Sequence, residues 1–420
     1  MKRIFAIAVA VAALFSAQYA QARKQADKAP GAMVSIQSFG VLPTNTPEVN
    51  RDRLQKAIDE ASASGTAIYV TPVENGYPVA SGLILRRNVS LIGAHGPLGR
   101  ASSNPDQSGP TGSLFVITDN DAPFITCESS TQLRGLQFYY PEQSTSDPAK
   151  IIKYKPTITL SKEFRMVECV TLSCLSFYGE YEAIDCIRGK GLVCEQILCE
   201  HLYGYPLSGK FISIDYCYDI PRILHCHVNP ATMREFGKLF SRAVVDHVIA
   251  QNTFTYWIDH TDNAVTIDLF TFGVYGGLYV GPNTYGQLTS FNFDCVNVGI
   301  YKDGGGYFNR DWNFVNGSII ANCGKAIEDV HPFVITGKGH TTISNVIAFS
   351  GKNNALTAIG NSWDFVQVEG NEPLSLIINS CRMGNYVAKN PITVKNPNAK
   401  ISVTESIDKD WNFFEFKQNK

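Results

Sequence analysis

The chain has 420 residues, of which 18 % are charged and 44 % hydrophobic, and its formal net charge is −2. This balance, without a basic run, argues against a nucleic acid or an anionic membrane surface as the partner. The cysteines number eleven, and an odd number excludes complete pairing in internal disulfides.

The N-terminus has the three parts of an export signal. Residues 1–3 are Met-Lys-Arg, an apolar run follows over about 4–15, and residues 20–22 form an Ala-Gln-Ala cleavage pattern. The apolar run is too short to span a bilayer. We therefore predict a removable signal peptide over 1–22, a polar leader over 23–32, and a periplasmic or secreted protein without a membrane-inserted segment.

A helix is predicted near the start of the mature chain. Thr46 is a suitable N-cap, and Pro47 fits the first helical position because its missing N–H is not needed there. Apolar residues then recur at helical spacing up to Gly65, a residue typical of helix ends. Short apolar strand patterns follow over 67–93. We assign residues 33–66 to an N-terminal cap.

The order of Phe39-Gly40, this helix and the short strands resembles the N-terminal module of polygalacturonases and related pectin-lyase-like proteins. The resemblance implies an all-β, right-handed parallel β-helix (a solenoid) with an N-terminal capping α-helix. Such a cap is needed because an open solenoid end exposes apolar core and unpaired strand edges. The polygalacturonase motifs Asn-Thr-Asp, Asp-Asp, Gly-His-Gly and Arg-Ile-Lys do not occur together here, so no residue role is transferred from that family.

Short strand patterns repeat through the chain with starts roughly 20–30 residues apart, a period typical of solenoids. They are predicted at 167–174, 192–199, 220–227, 244–252, 265–272, 290–296, 314–323, 341–349 and 374–381. No helical pattern of useful length lies between them, which favours a parallel solenoid over alternating strands and helices. We predict one β-helix domain over 33–420, with coils over about 67–384 and a C-terminal cover over 385–420. Projecting loops are predicted at 96–112, 141–149 and 229–238.

Four of the cysteines recur at a fixed offset. Cys169 and Cys174 are followed by Cys194 and Cys199, each 25 residues later. Equivalent positions of successive coils lie above one another, so we predict that most cysteines are buried free thiols stacked inside the solenoid. A zinc site is not expected, because paired CxxC spacings do not occur.

Acidic residues and tyrosines are predicted to share one outward column. Three Ile-Asp pairs end at Asp185, Asp215 and Asp259, and because strand side chains alternate, the residue after each inward Ile or Leu faces solvent. The complete predicted column is Asp185, Asp215, Asp259, Tyr279, Tyr301, Glu328 and Gly360. In adjacent coils Asp215 and Asp259 would lie about 5 Å apart. Alternatively, an extra coil between them would bring Asp246 or His247 into the column.

Stacked carboxylates favour acid–base chemistry on a sugar bond. Like charges raise one another's pKa, so one acid stays protonated beside an ionised base, and inverting glycosidases hold such a pair about 6.5–9.5 Å apart. The predicted catalytic residues are the acids Asp215, Asp259, Asp185 and Glu328, with His260 or Lys302 as auxiliary groups. The predicted substrate-binding residues are Tyr216, Tyr279 and Tyr301, on which sugar rings could stack, and Arg188.

Elimination and simple binding stay open beside hydrolysis. The column could instead hold Ca²⁺ through its carboxylates, with Arg188, His260 or Lys302 as the base of a lyase; for a hydrolase no cofactor is expected. We predict a glycoside hydrolase or polysaccharide lyase whose partner is an acidic, uronate-containing polysaccharide or oligosaccharide. The alternative is a non-catalytic β-helix that binds glycan or belongs to the cell envelope.

Overall fold

The computed structural model describes residues 33–95, 112–303, 311–349, 351, 356, 358–384 and 386–417. The predicted signal peptide and polar leader lie outside these residues, and so does the predicted loop 96–112 except for its last residue. Within the described ranges, no helix has the length and apolar character needed to cross a membrane.

The described chain winds through three parallel sheets, and the ladders between its strands are parallel. The helices are α1 (Pro47–Ser64) and α2 (Arg242–Ile249). The strands, in chain order, are β1 (Met33–Ser35), β2 (Ala67–Val70), β3 (Tyr77–Pro78), β4 (Leu83–Leu85), β5 (Ser90–Gly93), β6 (Ser113–Val116), β7 (Ile125–Cys127), β8 (Gln132–Arg134), β9 (Leu136–Tyr139), β10 (Ile158–Leu160), β11 (Met166–Tyr178), β12 (Ile184–Cys186), β13 (Val193–Gly204), β14 (Ile212–Tyr218), β15 (Arg222–Val228), β16 (Phe254–Thr261), β17 (Ala264–Val280), β18 (Gly286–Lys302), β19 (Trp312–Ala321), β20 (His331–Ile335), β21 (Gly339–Phe349), β22 (Val366–Val368), β23 (Leu374–Asn379), β24 (Ile392–Val394) and β25 (Ala399–Thr404).

Each full coil contributes one strand segment to each sheet. Sheet 1 contains β4, β7, β10, β12, β14, β16, the ends of β17 and β18, β20, β22 and β24. Sheet 2 contains β1, β2, β5, β8, the first parts of β11, β13, β15, β17, β18, β19 and β21, and then β23 and β25. Sheet 3 contains β3, β6 and β9 and the later parts of the long strands.

Helix α1 covers the N-terminal end of the coils, as predicted. The Thr46 hydroxyl accepts the backbone N–H of Val49, Pro47 occupies the first turn, and Gly65 ends the helix with a left-handed φ of 70°. The buried face of the helix includes Leu54 and Ile58. These apolar side chains close the end of the solenoid core, which would otherwise be open to water. The predicted right-handed parallel β-helix with a capping helix is confirmed.

One corner, between sheets 2 and 3, is formed by a column of residues in the left-handed conformation. It contains Cys174, His201, His225, Asp268, Ser290, Asn316 and Asn345, whose φ angles lie between 51° and 59°. Because Asn, Asp and His tolerate this conformation better than most residues, the chain can turn without a glycine at each coil. The long strands β11 to β21 therefore pass from sheet 2 into sheet 3 without a loop.

The predicted strand 244–252 is wrong, because this segment forms α2. Ser241 caps the helix by accepting the N–H of Val244, and the apolar residues Val244, Val245 and Val248 are buried at helical spacing. The helix packs on β17, where a Cβ at Gly273 would lie 3.2 Å from Val245. A short valine-rich run can form either a strand or a helix. Here the Ser241 cap and the packing against β17 stabilise the helix.

The cysteines are all in the described ranges, and all eleven are free thiols, nine of them buried. The predicted stacking of equivalent cysteines is wrong in register. Cys194 pairs with Val167, and Cys199 pairs with Leu172, so the coil repeat is two residues longer than the cysteine spacing suggests. Cys169 has a left-handed φ of 58° and is exposed.

The segment predicted as a C-terminal cover begins with further coil structure. Strand β24 extends sheet 1 and β25 extends sheet 2. Beyond them, Phe414 and Phe416 pack against the core while partly buried. The coils therefore continue to Thr404.

Glu180 links the stability of this fold to pH. Its side chain is buried, Oε1 accepts the N–H of Tyr205 at 2.7 Å, and burial raises its pKa from 4.5 to about 8. Below pH 4.5 the carboxyl is protonated in both the native and the unfolded chain. Between pH 4.5 and 8 only the unfolded chain loses the proton, so the native state loses stability as the pH rises.

We expect Glu180→Gln to remove this loss, on the order of 4 kcal/mol between pH 4.5 and 8, because Gln stays neutral and keeps the acceptor oxygen. Urea denaturation at pH 4 and pH 8 measures the free energy of unfolding of both proteins. The exposed Glu74→Gln variant is the matched control and should follow the wild type. Parallel pH profiles of Glu180→Gln and wild type would contradict the assignment.

Candidate functional site

The outer face of sheet 1 carries a stacked row of aromatic side chains. Register pairs Trp257 with Tyr279 and Tyr279 with Tyr301. The ring centroids are 5.6 and 5.7 Å apart, and the interplanar angles are 4° and 16°. These residues, called the aromatic row below, face outward because the neighbouring positions Ile258 and Ile300 are buried. All three rings are partly exposed and form a continuous flat surface.

A second outward column lies two residues further along each strand, at the carboxyl end of sheet 1. Asp215 pairs with Asp259, and the pairing of Ile258, Val280 and Lys302 places Gly281 and Asp303 in the next two coils. Because neighbouring strands are about 4.8 Å apart, the Cα atoms of Asp259 and Asp303 are separated by about 9–10 Å. A Cβ at Gly281 would lie 2.2 Å from the Asp259 carboxyl carbon. The glycine therefore makes room for this carboxylate between the two coils.

Asp215, Asp259 and His260 form a compact cluster at this edge. His260 Nδ1 lies 2.9 Å from Asp215 Oδ1 and 3.4 Å from Asp259 Oδ2. His260 has a left-handed φ of 41°, which lets it share a side with the preceding Asp259, whereas consecutive residues of a regular strand point apart. Tyr216, also left-handed at 50°, stacks on the imidazole with centroids 4.3 Å apart. The amide of Asn283 contacts His260 Nε2 at 3.0 Å.

Burial controls the electrostatics of Asp259. Its side chain is 12 % exposed, and desolvation raises its pKa above the usual carboxyl range. The backbone N–H of His260, 2.8 Å from Oδ1, opposes this shift because it stabilises the charged form. Asp303 has different hydrogen-bond partners from Asp259. Its oxygens accept hydrogen bonds from the Tyr279 hydroxyl and the Thr336 hydroxyl, both at 3.1 Å.

The cluster does not fit calcium. The potential ligand atoms of Asp215, Asp259 and His260 lie within 4.8 Å of one another. Calcium takes six to eight oxygen ligands, whereas this group supplies two carboxylates and an imidazole whose nitrogens are both engaged in hydrogen bonds. We therefore derive no step through a calcium ion here.

A cleft of about 700 Å³ continues from the aromatic row along sheet 1. Tyr301, Val334 and Gln367 form its floor on the sheet, and one wall comes from the loop that contains the 3₁₀ helix Ile327–Asp329. Asp246 of α2 contributes to the same wall. The row and the cleft together form an elongated surface suited to a chain-like ligand.

No protein-family model and no curated protein sequence matches this chain. Among solved structures, DFA-IIIase from Arthrobacter chlorophenolicus A6 in complex with GF2 has a TM-score of 0.52 and 9 % identity, covering 92 % of this chain and 97 % of that chain. An exopolygalacturonase from Thermotoga maritima has a TM-score of 0.44 and 10 % identity, covering 91 % and 92 %. The A-module of a mannuronan C-5 epimerase from Azotobacter vinelandii has a TM-score of 0.43 and 12 % identity, covering 88 % and 99 %.

The fold is that of the pectin-lyase-like β-helix proteins. On this β-helix, the predicted pairing of Asp215 with Asp259 in adjacent coils is confirmed. No extra coil intervenes: the chain between them forms β15, which completes the coil, and then a loop that contains α2. Asp246 of that helix lines the cleft. Tyr279 and Tyr301 also stack as predicted, although Tyr279 aligns with Trp257 and not with Asp259.

Two acids of the predicted column do not align with Asp259. Asp185 pairs with Ser213, which pairs with Trp257, so Asp185 lies in line with Tyr279 and Tyr301 as predicted but two residues before the Asp259 position. Its Oδ1 accepts the N–H of Ile187. Glu328 lies in the loop helix Ile327–Asp329, exposed at the cleft wall and outside the sheet. The predicted alignment of these two acids with Asp259 is therefore wrong.

Two basic residues predicted at the site are buried. Lys302 is 1 % exposed, faces inward between Val280 and Ile335, and has its pKa lowered to about 8 by burial. Arg188 is 3 % exposed and donates from Nε to the carbonyl of Ser161 at 2.8 Å. Neither side chain reaches the outer face of sheet 1, which corrects their expected contact with substrate.

Sequence reasoning missed Trp257, Asp303 and Asn283. The alternation that predicts Tyr301 as outward also predicts Asp303, two residues further, on the same face. In the same way, Trp257 lies two residues before Asp259, so the alternation places both on the outer face. Asn283 follows a turn after β17, and no periodic signal indicates that it reaches His260.

Proposed function

We propose that this β-helix binds a glycan along the outer face of sheet 1 and hydrolyses a glycosidic bond, with Asp259 as general acid and Asp303 as general base. The observation that supports this most is the aromatic row beside two carboxylates that are two coils apart, with Gly281 between them. Aromatic rings with one exposed face suit the apolar faces of sugars.

The surroundings of the two acids suit different roles. Desolvation raises the pKa of Asp259, which favours a proton for the leaving-group oxygen. Asp303 accepts hydrogen bonds from Tyr279 and Thr336, which hold its carboxyl group in a fixed orientation on the outer face of sheet 1. The Cα atoms of the two acids are about 9–10 Å apart, which is near the upper end of the range of about 6.5–9.5 Å between the carboxyl groups of inverting glycosidases, where a water molecule enters between base and sugar.

Hydrolysis has more support than elimination. Lys302 and Arg188, two of the bases considered for a lyase, are turned away from the surface, and the cluster around His260 does not fit calcium. An acidic, uronate-containing substrate, like export from the cell, stays a prediction, which substrate profiling and cell fractionation test.

Non-catalytic glycan binding is the second candidate, and one observation favours it. Asp259 is engaged by protein groups: Oδ1 accepts the N–H of His260 at 2.8 Å and that of Asn283 at 3.5 Å. A carboxylate held in this way could act only as structural support for the edge of sheet 1. In that case the aromatic row would bind glycan without turnover.

Product analysis on a panel of neutral and uronate-containing polysaccharides separates these functions. Hydrolysis produces new reducing ends without an unsaturated uronate, whereas elimination produces the unsaturated uronate and its ultraviolet absorbance. Retention of the protein by a polysaccharide without any product supports the binding function. Neither product nor retention on any member of the panel would contradict both functions.

We expect Trp257→Ala to weaken glycan binding by about tenfold, because one stacking face of the aromatic row is lost. Affinity electrophoresis in gels containing the most strongly retained polysaccharide measures this. Trp411→Ala removes an indole that is 65 % exposed but lies near the C-terminus, and it serves as the matched control. Equal weakening in both variants would argue against binding at the row.

A further inference from the structure

The cleft beside the aromatic row contains a buried histidine–aspartate pair. His331 lines the cleft, and its Nδ1 lies 2.8 Å from Asp364 Oδ1. The side chains are 3 % and 0 % exposed. A carboxylate only accepts hydrogen bonds, so a proton on Nδ1 serves the contact with Asp364 and leaves Nε2 as the acceptor of the ring. The contact with Asp364 fixes the orientation of this ring in the lining of the cleft.

A second acceptor in the cleft comes from Asn297. This side chain is 4 % exposed, and its Oδ1 has no hydrogen-bond partner among the described residues. A Cβ at Gly324 would lie 2.4 Å from Asn297 Nδ2, so the cleft wall approaches the amide closely. A buried acceptor without a partner is costly, and a ligand hydroxyl that donates to it would remove this cost.

The charges around the cleft disfavour an anionic ligand. Four carboxylates line it, against two lysines: Asp246, Glu328, Asp329 and Glu369, with Lys325 and Lys395. Lys395 is already paired with Glu369 at 3.0 Å. The excess of negative charge would repel a uronate, whereas the hydroxyls of a neutral sugar can donate to the oriented acceptors.

We propose that the cleft binds a neutral sugar unit, with hydroxyl groups donating to Nε2 of His331 and to Oδ1 of Asn297. The unit would adjoin a sugar stacked on Tyr301, the residue shared by the row and the cleft. Asp364 is a positioning residue, because it acts through His331. This inference rests on the proposed glycan-binding function of sheet 1, and it narrows the sugar class at one end of that surface.

Methyl glycosides of neutral hexoses and pentoses, and of uronic acids, serve as probes that are small enough to fill the cleft alone. Saturation-transfer NMR and titration calorimetry measure their binding to the full chain. We expect neutral glycosides to bind more tightly than the corresponding uronic acids. His331→Asn keeps a donor toward Asp364 but deletes the Nε2 position, and it should weaken neutral-glycoside binding by about tenfold.

Two further variants separate binding from structural effects. His331→Gln restores a polar atom near the Nε2 position and should recover part of the lost affinity. Asp364→Asn should shift the ¹⁵N signals of the His331 ring and weaken binding, since the negative charge that polarises Nε2 is lost. The control is His225→Asn, which alters an exposed His–Asp pair with a comparable contact of 2.9 Å to Asp268, and it should bind like wild type.

Tighter binding of uronic acids, unchanged affinity in His331→Asn, or no binding of any neutral glycoside would each overturn the inference. These outcomes are distinguishable from failure of the proposed hydrolysis. If His331-dependent binding occurs but no polysaccharide is cleaved, only the catalytic proposal fails. If polysaccharide is cleaved but the cleft does not bind neutral glycosides, only this inference fails.

Discussion

Replacing Asp259 by asparagine is expected to lower kcat for glycan hydrolysis by about 10²–10⁴-fold, the usual contribution of a general acid. Asparagine has nearly the same shape and can still accept the N–H of His260, so the edge of sheet 1 should stay intact. The proton for the leaving group is lost, however. Initial rates on the polysaccharide that the wild type cleaves measure the effect, and the melting temperature checks the fold.

The pH profile provides a second readout of the same residue. Because burial raises the pKa of Asp259, the alkaline decline of kcat/KM should occur at a higher pH than for a solvent-exposed aspartate. Asp303→Asn should remove the base and lower kcat by a comparable factor.

Asp52→Asn is the matched control for both acids. Asp52 lies on the capping helix α1 with its side chain 68 % exposed, so the rate of this variant should equal that of wild type. Full activity in Asp259→Asn, or an equal loss of activity in Asp52→Asn, would refute the assignment of the acid.

Trp312→Ala is expected to have the largest effect on stability. The indole is fully buried, stacks on Phe314 with centroids 5.7 Å apart, and donates from Nε1 to the carbonyl of Thr284 at 3.1 Å. Truncation leaves a large cavity and an unpaired carbonyl, which together cost about 3–5 kcal/mol. Because coils contact mainly their neighbours, we expect hydrogen exchange to increase first around β18, β19 and β21.

Urea denaturation measures the loss, and Trp411→Ala provides the comparison. Trp411 is 65 % exposed, and its ring lies 3.9 Å from the guanidinium of Arg382, a contact worth about 1 kcal/mol or less at an exposed site. A similar small loss in both variants would show that Trp312 is not part of a tightly packed core.

The sequence predicted which side chains face the interior more reliably than it predicted which residues of neighbouring coils pair with each other. Ile184, Ile214 and Ile258 are all buried, as the alternating pattern indicated. Yet Ile184 pairs with Ile212, while Ile214 pairs with Ile258. A shift of the pairing register by two residues leaves every side chain on the same face of its strand. The hydrophobic pattern therefore cannot reveal such a shift. The predicted column of acids failed at Asp185 for this reason.

Local conformation was the second obstacle. His260 and Tyr216 adopt left-handed φ angles, and only this turn brings His260 beside Asp259 and against the ring of Tyr216. The sequence predicts a strand where α2 forms, because eight residues rich in valine suit either structure. In both cases packing between coils selected a conformation that the local sequence leaves open.

By itself, the sequence determined the solenoid repeat, the N-terminal helix and the faces of the strands, because each follows from local periodicity. The right-handed β-helix with its cap was implied by the resemblance to pectin-lyase-like proteins. The tertiary structure decided which residues meet: Asp259, Gly281 and Asp303 form one column, His331 meets Asp364, and Lys302 and Arg188 turn inward. The reason is physical. Loops of different length separate the coils, and their packing alone sets the register between one turn of the chain and the next.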